Sequence, residues 1–221
     1  MSTETILSAM PSLSASDLAR ASRYVRDGRI LVVPTDTVYG IGCAADNPEA
    51  VAAVLAAKGR GRQMPPPVLV ASADAIDSLC VDVPDYARRL ARAFWPGGLT
   101  LILTARPDLG WDLGETCGTI GVRMPAQDAL LELLTDVGPM AVTSANLTGQ
   151  PPATSVDQAL GYFGNRVGAY LDAGPTKGST ASSIVDCAHD TPRVIRLGTI
   201  SLDDLSQAAG VPIDAPQGVN A

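Results

Sequence analysis

Histidine is almost missing from this chain: His189 is the only one in 221 residues. That removes the H-E-x-x-H metalloprotease helix outright. A serine or cysteine nucleophile served by a histidine base would have to use the loop-like segment AHDTPR, and no nucleophile elbow lies near it. A packing or surface role is the reading of His189. Cysteine is sparse and scattered, at positions 43, 80, 117 and 187. No short-spaced pair can start a zinc site, so buried reduced thiols are expected. No apolar run reaches the length that spans a bilayer. The opening MSTETILSAMPSL has no basic segment followed by an apolar block, so no secretory signal is read and a cytoplasmic location is expected. Aromatic residues make up only 4%, which leaves no strand rich in base-stacking rings. The net charge of −7 opposes unspecific attraction to nucleic acid. Lysine occurs twice, at 58 and 177, and Lys58 stands with Arg60 and Arg62 in the densest basic cluster, KGRGR.

What is present reads as alternating helices and strands. Ser14 or Ser16 caps a first helix that Gly28 stops. Ile30 to Val33 is a short buried strand running into PTDTVYG. Asn47-Pro48-Glu49 opens a second helix, with asparagine as cap, proline in the first turn and glutamate on the dipole, and that helix ends at Lys58-Gly59. Strands are expected at Val68–Ala71, Leu99–Thr104, Thr119–Met124, Pro139–Thr143, 168–172, 182–186 and 193–197. Helices are expected at Asp85–Phe94, Ala129–Thr135, after Ser155, and over 202–209 behind Ser201. The whole predicts one α/β domain over 14–210, a twisted mixed sheet with flanking helices, and frayed ends at 1–13 and 211–221.

Neither the P-loop nor the dinucleotide glycine fingerprint is present, so any nucleotide would be bound by another architecture. Three strand ends instead release into loops of small polar residues: PTDTVYG, VTSANLTG and STASSIVD. Hydroxyls and exposed N–H groups there suit oxyanions and phosphates, and they equally suit ordinary turns. KGRGR decides more. At about 6 Å and an effective dielectric of about 20, each neighbouring cation pair costs roughly 2–3 kcal/mol before screening. A polyphosphate would turn that repulsion into attraction. Arg123 in TIGVRMP and Arg196 in RVIRLG are further candidates, and a mid-strand arginine calls for a carboxylate partner.

Taken in order, PTDTVYGIG, a helix ending in K-G-R, VTSAN followed by G-x-P, SSIVD and R-x-I-R-x-G resemble the YrdC-type threonylcarbamoyl-AMP synthase family over about residues 15–200. The resemblance implies a YrdC-like fold and a reaction of L-threonine, bicarbonate and ATP. The products are threonylcarbamoyl-AMP, pyrophosphate and water, and the adenylate passes to partner proteins that modify adenosine in tRNA. It implies Lys58 and Arg60 as catalytic cations on the ATP phosphates, joined by Arg62. Thr119, Ser144, Ala145, Asn146 and Arg196 complete the nucleotide site. Thr35, Arg123, Thr143 and Ser182 fall in the L-threonine site. Ser183 stands where the family has threonine, and Gln63 to Pro67 depart from the family's N-P-L-like segment.

The implied mechanism needs no side-chain nucleophile. A carbamate formed from threonine's amine and bicarbonate attacks the α-phosphorus, while cations screen anion from anion and Mg²⁺ bridges phosphate oxygens without protein metal ligands. Tyr39 is expected to pack and Asp36 to order its turn. Two other readings stand beside this one. One is a non-catalytic RNA-binding module, although direct tRNA binding is expected to be weak or indirect. The other is a related adenylating enzyme with another amino-acid substrate.

Overall fold

The computed structural model describes residues 5–10, 12–189 and 191–216. Its helices begin and end where the caps dictate. Helix α1 (Ala15–Arg26) takes Ser14 as its cap, with the side chain accepting from the Asp17 N–H. Helix α2 (Pro48–Lys58) is capped by Asn47 and closed by Gly59 in the left-handed region at φ 62°. Ser155 caps α6 (Val156–Phe163), and Ser201 caps α7 (Leu202–Ala209). Between them lie α4 (Asp85–Phe94) and α5 (Asp128–Val137). One short helix, α3 (Ala75–Leu79), escaped the sequence because its two buried positions, Ile76 and Leu79, are too few to define a helical period.

The strands are β1 (Ile6–Ser8), β2 (Leu31–Val33), β3 (Gly40–Ala44), β4 (Val68–Leu69), β5 (Leu99–Thr104), β6 (Thr119–Arg123), β7 (Met140–Ser144), β8 (Ala169–Asp172), β9 (Ser183–Asp186) and β10 (Arg193–Arg196). They form one sheet in the order β1-β8-β2-β3-β7-β4-β6-β5-β9-β10. Parallel pairs (β1 with β8, β2 with β8, β4 with β6, β5 with β9) mix with antiparallel ones. The α/β class with a mixed sheet is therefore as expected.

Two expectations change. Segment 1–13 does not fray where it is described: Ile6–Ser8 adds an edge strand parallel to β8, and Leu7 is buried. At the other end Ile213 is buried and Asp214 bridges to Arg193, while 217–221 lie outside the described residues. The second change is β3, Gly40–Ala44, a strand that was not expected after PTDTVYG. Its glycines let it lie close against β7. A Cβ at Gly40 would sit 2.5 Å from Val142 Cγ1, and one at Gly42 would sit 2.5 Å from the Ala141 carbonyl. Larger residues would push β3 off β7.

Side chains alternate across the sheet with period two. Leu31, Val33, Leu69, Met140 and Val142 point to one face and pack with Val25, Leu130, Leu133 and Leu134 of α1 and α5. Val32, Ile41, Val68, Leu101, Ile120, Val122 and Val185 point to the other, under residues of α2, α4, α6 and α7. Helices α1 and α5 cover their face from β1 only as far as Leu69 of β4. The β6-β5-β9 part beyond it is left to form a cavity.

Candidate functional site

The uncovered part of that face supplies the cavity floor. On β6, Thr119, Gly121 and Arg123 alternate with the core residues Ile120 and Val122. Pairing places Gly121 opposite Ile102 on β5 and Thr100 opposite Ile184 on β9, and all of these line the cavity. The walls come from strand ends: Thr35 and Thr37 after β2, Thr143 and Ser144 at the end of β7, Ser182 before β9, and Arg196 on β10. Pro65, Pro66 and Pro67 form one further wall, so the stretch that departs from the family pattern borders this cavity.

The threonines are fixed before any ligand arrives. Thr35 Oγ1 donates to the Val38 carbonyl at 2.6 Å, accepts from the Thr37 N–H at 3.1 Å and lies 3.0 Å from Thr37 Oγ1. Thr119 Oγ1 donates to the Thr116 carbonyl at 2.8 Å. Thr100 and Ser182 share a hydroxyl contact of 3.1 Å.

Three guanidinium groups converge here, and each keeps N–H groups that no described residue takes. Arg60 donates from Nη1 to Thr143 Oγ1 at 2.8 Å, and its buried Nε has no partner. Arg196 donates from Nε to the Ser182 carbonyl at 2.9 Å and from Nη2 to Ser182 Oγ at 3.1 Å. Arg123 donates from Nε to the Gly97 carbonyl at 2.9 Å and from Nη2 to Asp36 at 2.7 Å. Asp36 is thus the carboxylate that a mid-strand arginine calls for. Burial pulls the Arg60 and Arg123 guanidiniums below their ordinary range, opposed at Arg123 by Asp36. Burial, then Arg123 and Arg60, does the same at Arg196. The three charges therefore repel across a common space, an arrangement that an anion relieves.

KGRGR does not act as one cluster. Lys58 is buried, 3% exposed, and spends its ammonium on the loop after β7. Nζ donates to the Ser144 carbonyl, to the Asn146 carbonyl at 2.7 Å and to Asn146 Oδ1 at 3.2 Å. Burial, then Arg60, lowers its pKa to about 8. Arg62 stands exposed and binds Asp112 at 2.7 Å, away from the cavity lining. The helix end splits the cluster: Lys58 still lies on α2, Arg60 turns into the cleft, and Arg62 is carried out by the loop.

The Ser-Ala-Asn loop divides in a similar way. Ser144 lines the cavity. Ala145 is fully buried, its N–H donating to the Tyr39 carbonyl at 2.8 Å. Asn146 turns inward, donating from Nδ2 to Leu147 and Gln150 carbonyls at 2.9 and 2.7 Å. Tyr39 packs as expected, fully buried, with its hydroxyl donating to the Gly174 carbonyl at 2.6 Å. Sequence reasoning missed Thr100 and Thr116 as lining residues. Only strand register exposes Thr100, because LTLILT alternates without marking which face is empty.

The Sua5_yciO_yrdC family model, described as telomere recombination, matches residues 23–198. A Mycobacterium leprae protein with the provisional name threonylcarbamoyl-AMP synthase is 51% identical over 201 residues, covering 91% of each chain. The Bacillus subtilis threonylcarbamoyl-AMP synthase is 34% identical over 212 residues, 94% of this chain and 61% of its own length. The structure of Pyrococcus abyssi Sua5 complexed with L-threonine superposes with a TM-score of 0.88 at 29% identity, covering 96% of this chain and 62% of that one.

Proposed function

Because the chain belongs to the Sua5/YciO/YrdC family, we propose that it is a threonylcarbamoyl-AMP synthase. It joins L-threonine, bicarbonate and ATP into threonylcarbamoyl-AMP, releasing pyrophosphate and water, and the adenylate serves tRNA modification. The observation that carries this reading is the convergence of Arg60, Arg123 and Arg196 on one hydroxyl-lined cavity with N–H groups unspent.

The chemistry follows from charge. Threonine's amine attacks bicarbonate carbon and water leaves, giving a carbamate. A carbamate oxygen then attacks the α-phosphorus, and the phosphorus–oxygen bond to pyrophosphate breaks. Both partners are anions, so the barrier falls when fixed cations screen them and hold attacker and leaving group in line. In this reading Arg123 takes the amino acid's carboxylate, with Thr35, Thr143 and Ser182 around its small polar side chain. Arg60 and Arg196 take phosphate oxygens, and Thr119 and Ser144 border the nucleotide. Lys58 and Asn146 hold the loop that carries Ser144. Mg²⁺ is proposed to enter bound to the triphosphate.

No helix among the described residues is long and apolar enough to cross a membrane, and a cytoplasmic setting with hand-over to tRNA-modifying proteins is part of the proposal. Pyrophosphate release from ATP tests the whole, with L-threonine and bicarbonate each omitted in turn. Release must need both. The proline wall at 65–67 supports a second reading, another amino acid in the same reaction. A higher kcat/KM with serine or another amino acid than with threonine would replace the first reading by the second. Steeply salt-dependent tRNA binding without pyrophosphate release would replace both by an RNA-binding module.

A further inference from the structure

Asp36 stands beside the cavity, its side chain 17% exposed, and touches two things that matter. Its Oδ1 accepts from Arg123 Nη2 at 2.7 Å and from the Ala126 N–H at 3.0 Å. Arg123 is 7% exposed and nearly spent: Nε is on the Gly97 carbonyl, and Nη2 is also 3.2 Å from Thr37 Oγ1. Among the described residues only Nη1 has no hydrogen-bond partner. The guanidinium is thus clamped along one edge and at one corner, with the remaining corner left for a ligand.

Resting on the reading of Arg123 as the carboxylate grip, we propose that Asp36 is a positioning residue for L-threonine, acting through Arg123. Two forces work against that arginine. Burial disfavours its charge, and Arg196 repels it across the cavity. A carboxylate at 2.7 Å opposes both and fixes the plane of the fork. It also neutralises one of three cavity cations, leaving two for the reacting anions. Without it, Arg123 keeps the Gly97 carbonyl and Thr37 Oγ1 but loses its one charged tether, so Nη1 is held less firmly. The effect belongs to the amino acid and not to ATP, because Arg60 and Arg196 make no hydrogen bond to Asp36.

The test uses Asp36→Asn, Asp36→Glu, Arg123→Gln and the Asp36→Asn/Arg123→Gln double variant. The readouts are L-threonine affinity by calorimetry, KM for threonine and for ATP, and the denaturation midpoint. Asparagine keeps an oxygen for the Ala126 N–H while removing the charge. Expected are a rise of about tenfold or more in threonine Kd and KM for Asp36→Asn and an ATP KM within about twofold of wild type. Asp36→Glu, which keeps the charge, should recover part of the loss. In the Arg123→Gln background Asp36→Asn should add less than about twofold. Unchanged threonine binding, an ATP KM rising in step, or full additivity overturns the proposal. Should Asp36→Asn fail to fold, Asp36→Ser, which also removes the charge, carries the test: weakened threonine binding at unchanged ATP KM supports it, and wild-type binding overturns it. Wild-type protein that binds no threonine overturns the functional reading and this proposal together. Wild-type binding with an unaffected Asp36→Asn overturns the role of Asp36 alone.

Discussion

Each basic side chain in this cleft can be judged by where its donors go. Lys58 has three N–H groups and three acceptors from one loop, so it works as a buried strut between the end of α2 and the segment after β7. Replacing it by methionine leaves the Ser144 and Asn146 carbonyls and Asn146 Oδ1 without that donor. The expected loss is roughly 2–4 kcal/mol, read from the denaturant midpoint. Pyrophosphate release should fall with it, and an unchanged midpoint would show that the loop holds without the strut. Arg196 differs, since its Nη1 has no partner among the described residues. Arg196→Gln should cost about 3–4 kcal/mol in transition-state stabilisation, a drop of at least about 100-fold in kcat/KM for ATP, with a small change in midpoint. Arg62 was expected beside them from its spacing, yet it is exposed and held by Asp112. Arg62→Ala and Asp112→Ala should leave the ATP KM within about twofold of wild type in steady-state assays.

Among the elements, β10 shows how a backbone contact places a side chain. Gly198 follows that strand, and a Cβ there would run into the Ala181 carbonyl and the Ser182–Ser183 backbone. Ser183 Oγ then ties the segment down, accepting from the Gly198 and Ile200 N–H groups at 3.0 and 3.1 Å. This seam sets Arg196 over Ser182. Gly198→Ala should part it, with a stability loss of about 1–3 kcal/mol and a raised ATP KM, measured by denaturation and kinetics. A wild-type ATP KM would show that Arg196 is held some other way. Ser183 was legible as a family variant of threonine, but its work as a backbone anchor was not, because its partners lie 15 and 17 residues away.

Across the whole molecule the four cysteines divide by burial. Cys43, Cys80 and Cys187 are buried and Cys117 is exposed. A thiol reagent should label one cysteine in the native protein and four in denaturant, and a count above one without denaturant would contradict this packing. Burial first, helped by Asp46, Asp77 and Asp186 in turn, pushes the three buried thiols from 9.0 up to about 12. Between those values the unfolded chain gives up protons that the native one keeps, so stability falls as pH rises above 9. The slope is about 1.4 kcal/mol per thiol per pH unit. Lys58 works the other way. Its folded value near 8 lies below 10.5, so the unfolded chain holds the extra proton and stability gains with pH across that window. Three thiols outweigh one lysine. Chemical denaturation between pH 8 and 11 should show a net loss above pH 9, and a flat profile would sink the account.

Local chemistry wrote most of the elements legibly: Ser14, Asn47, Ser155 and Ser201 cap helices that begin where they should, and the strands other than β1 and β3 sit within a residue or two of the expected runs. The family, and through it the reaction, was equally readable, because five ordered blocks survive in one dimension. The part of the face that α1 and α5 leave bare was not readable, and it alone makes Thr100 and Gly121 a floor and Arg60, Arg123 and Arg196 neighbours. Nor could spacing tell that Lys58 turns inward and Arg62 outward, or that Asp36 meets Arg123 from 87 positions away. Caps and periods are interactions within a few residues, whereas a cavity is made by segments that meet only after the sheet has set their order.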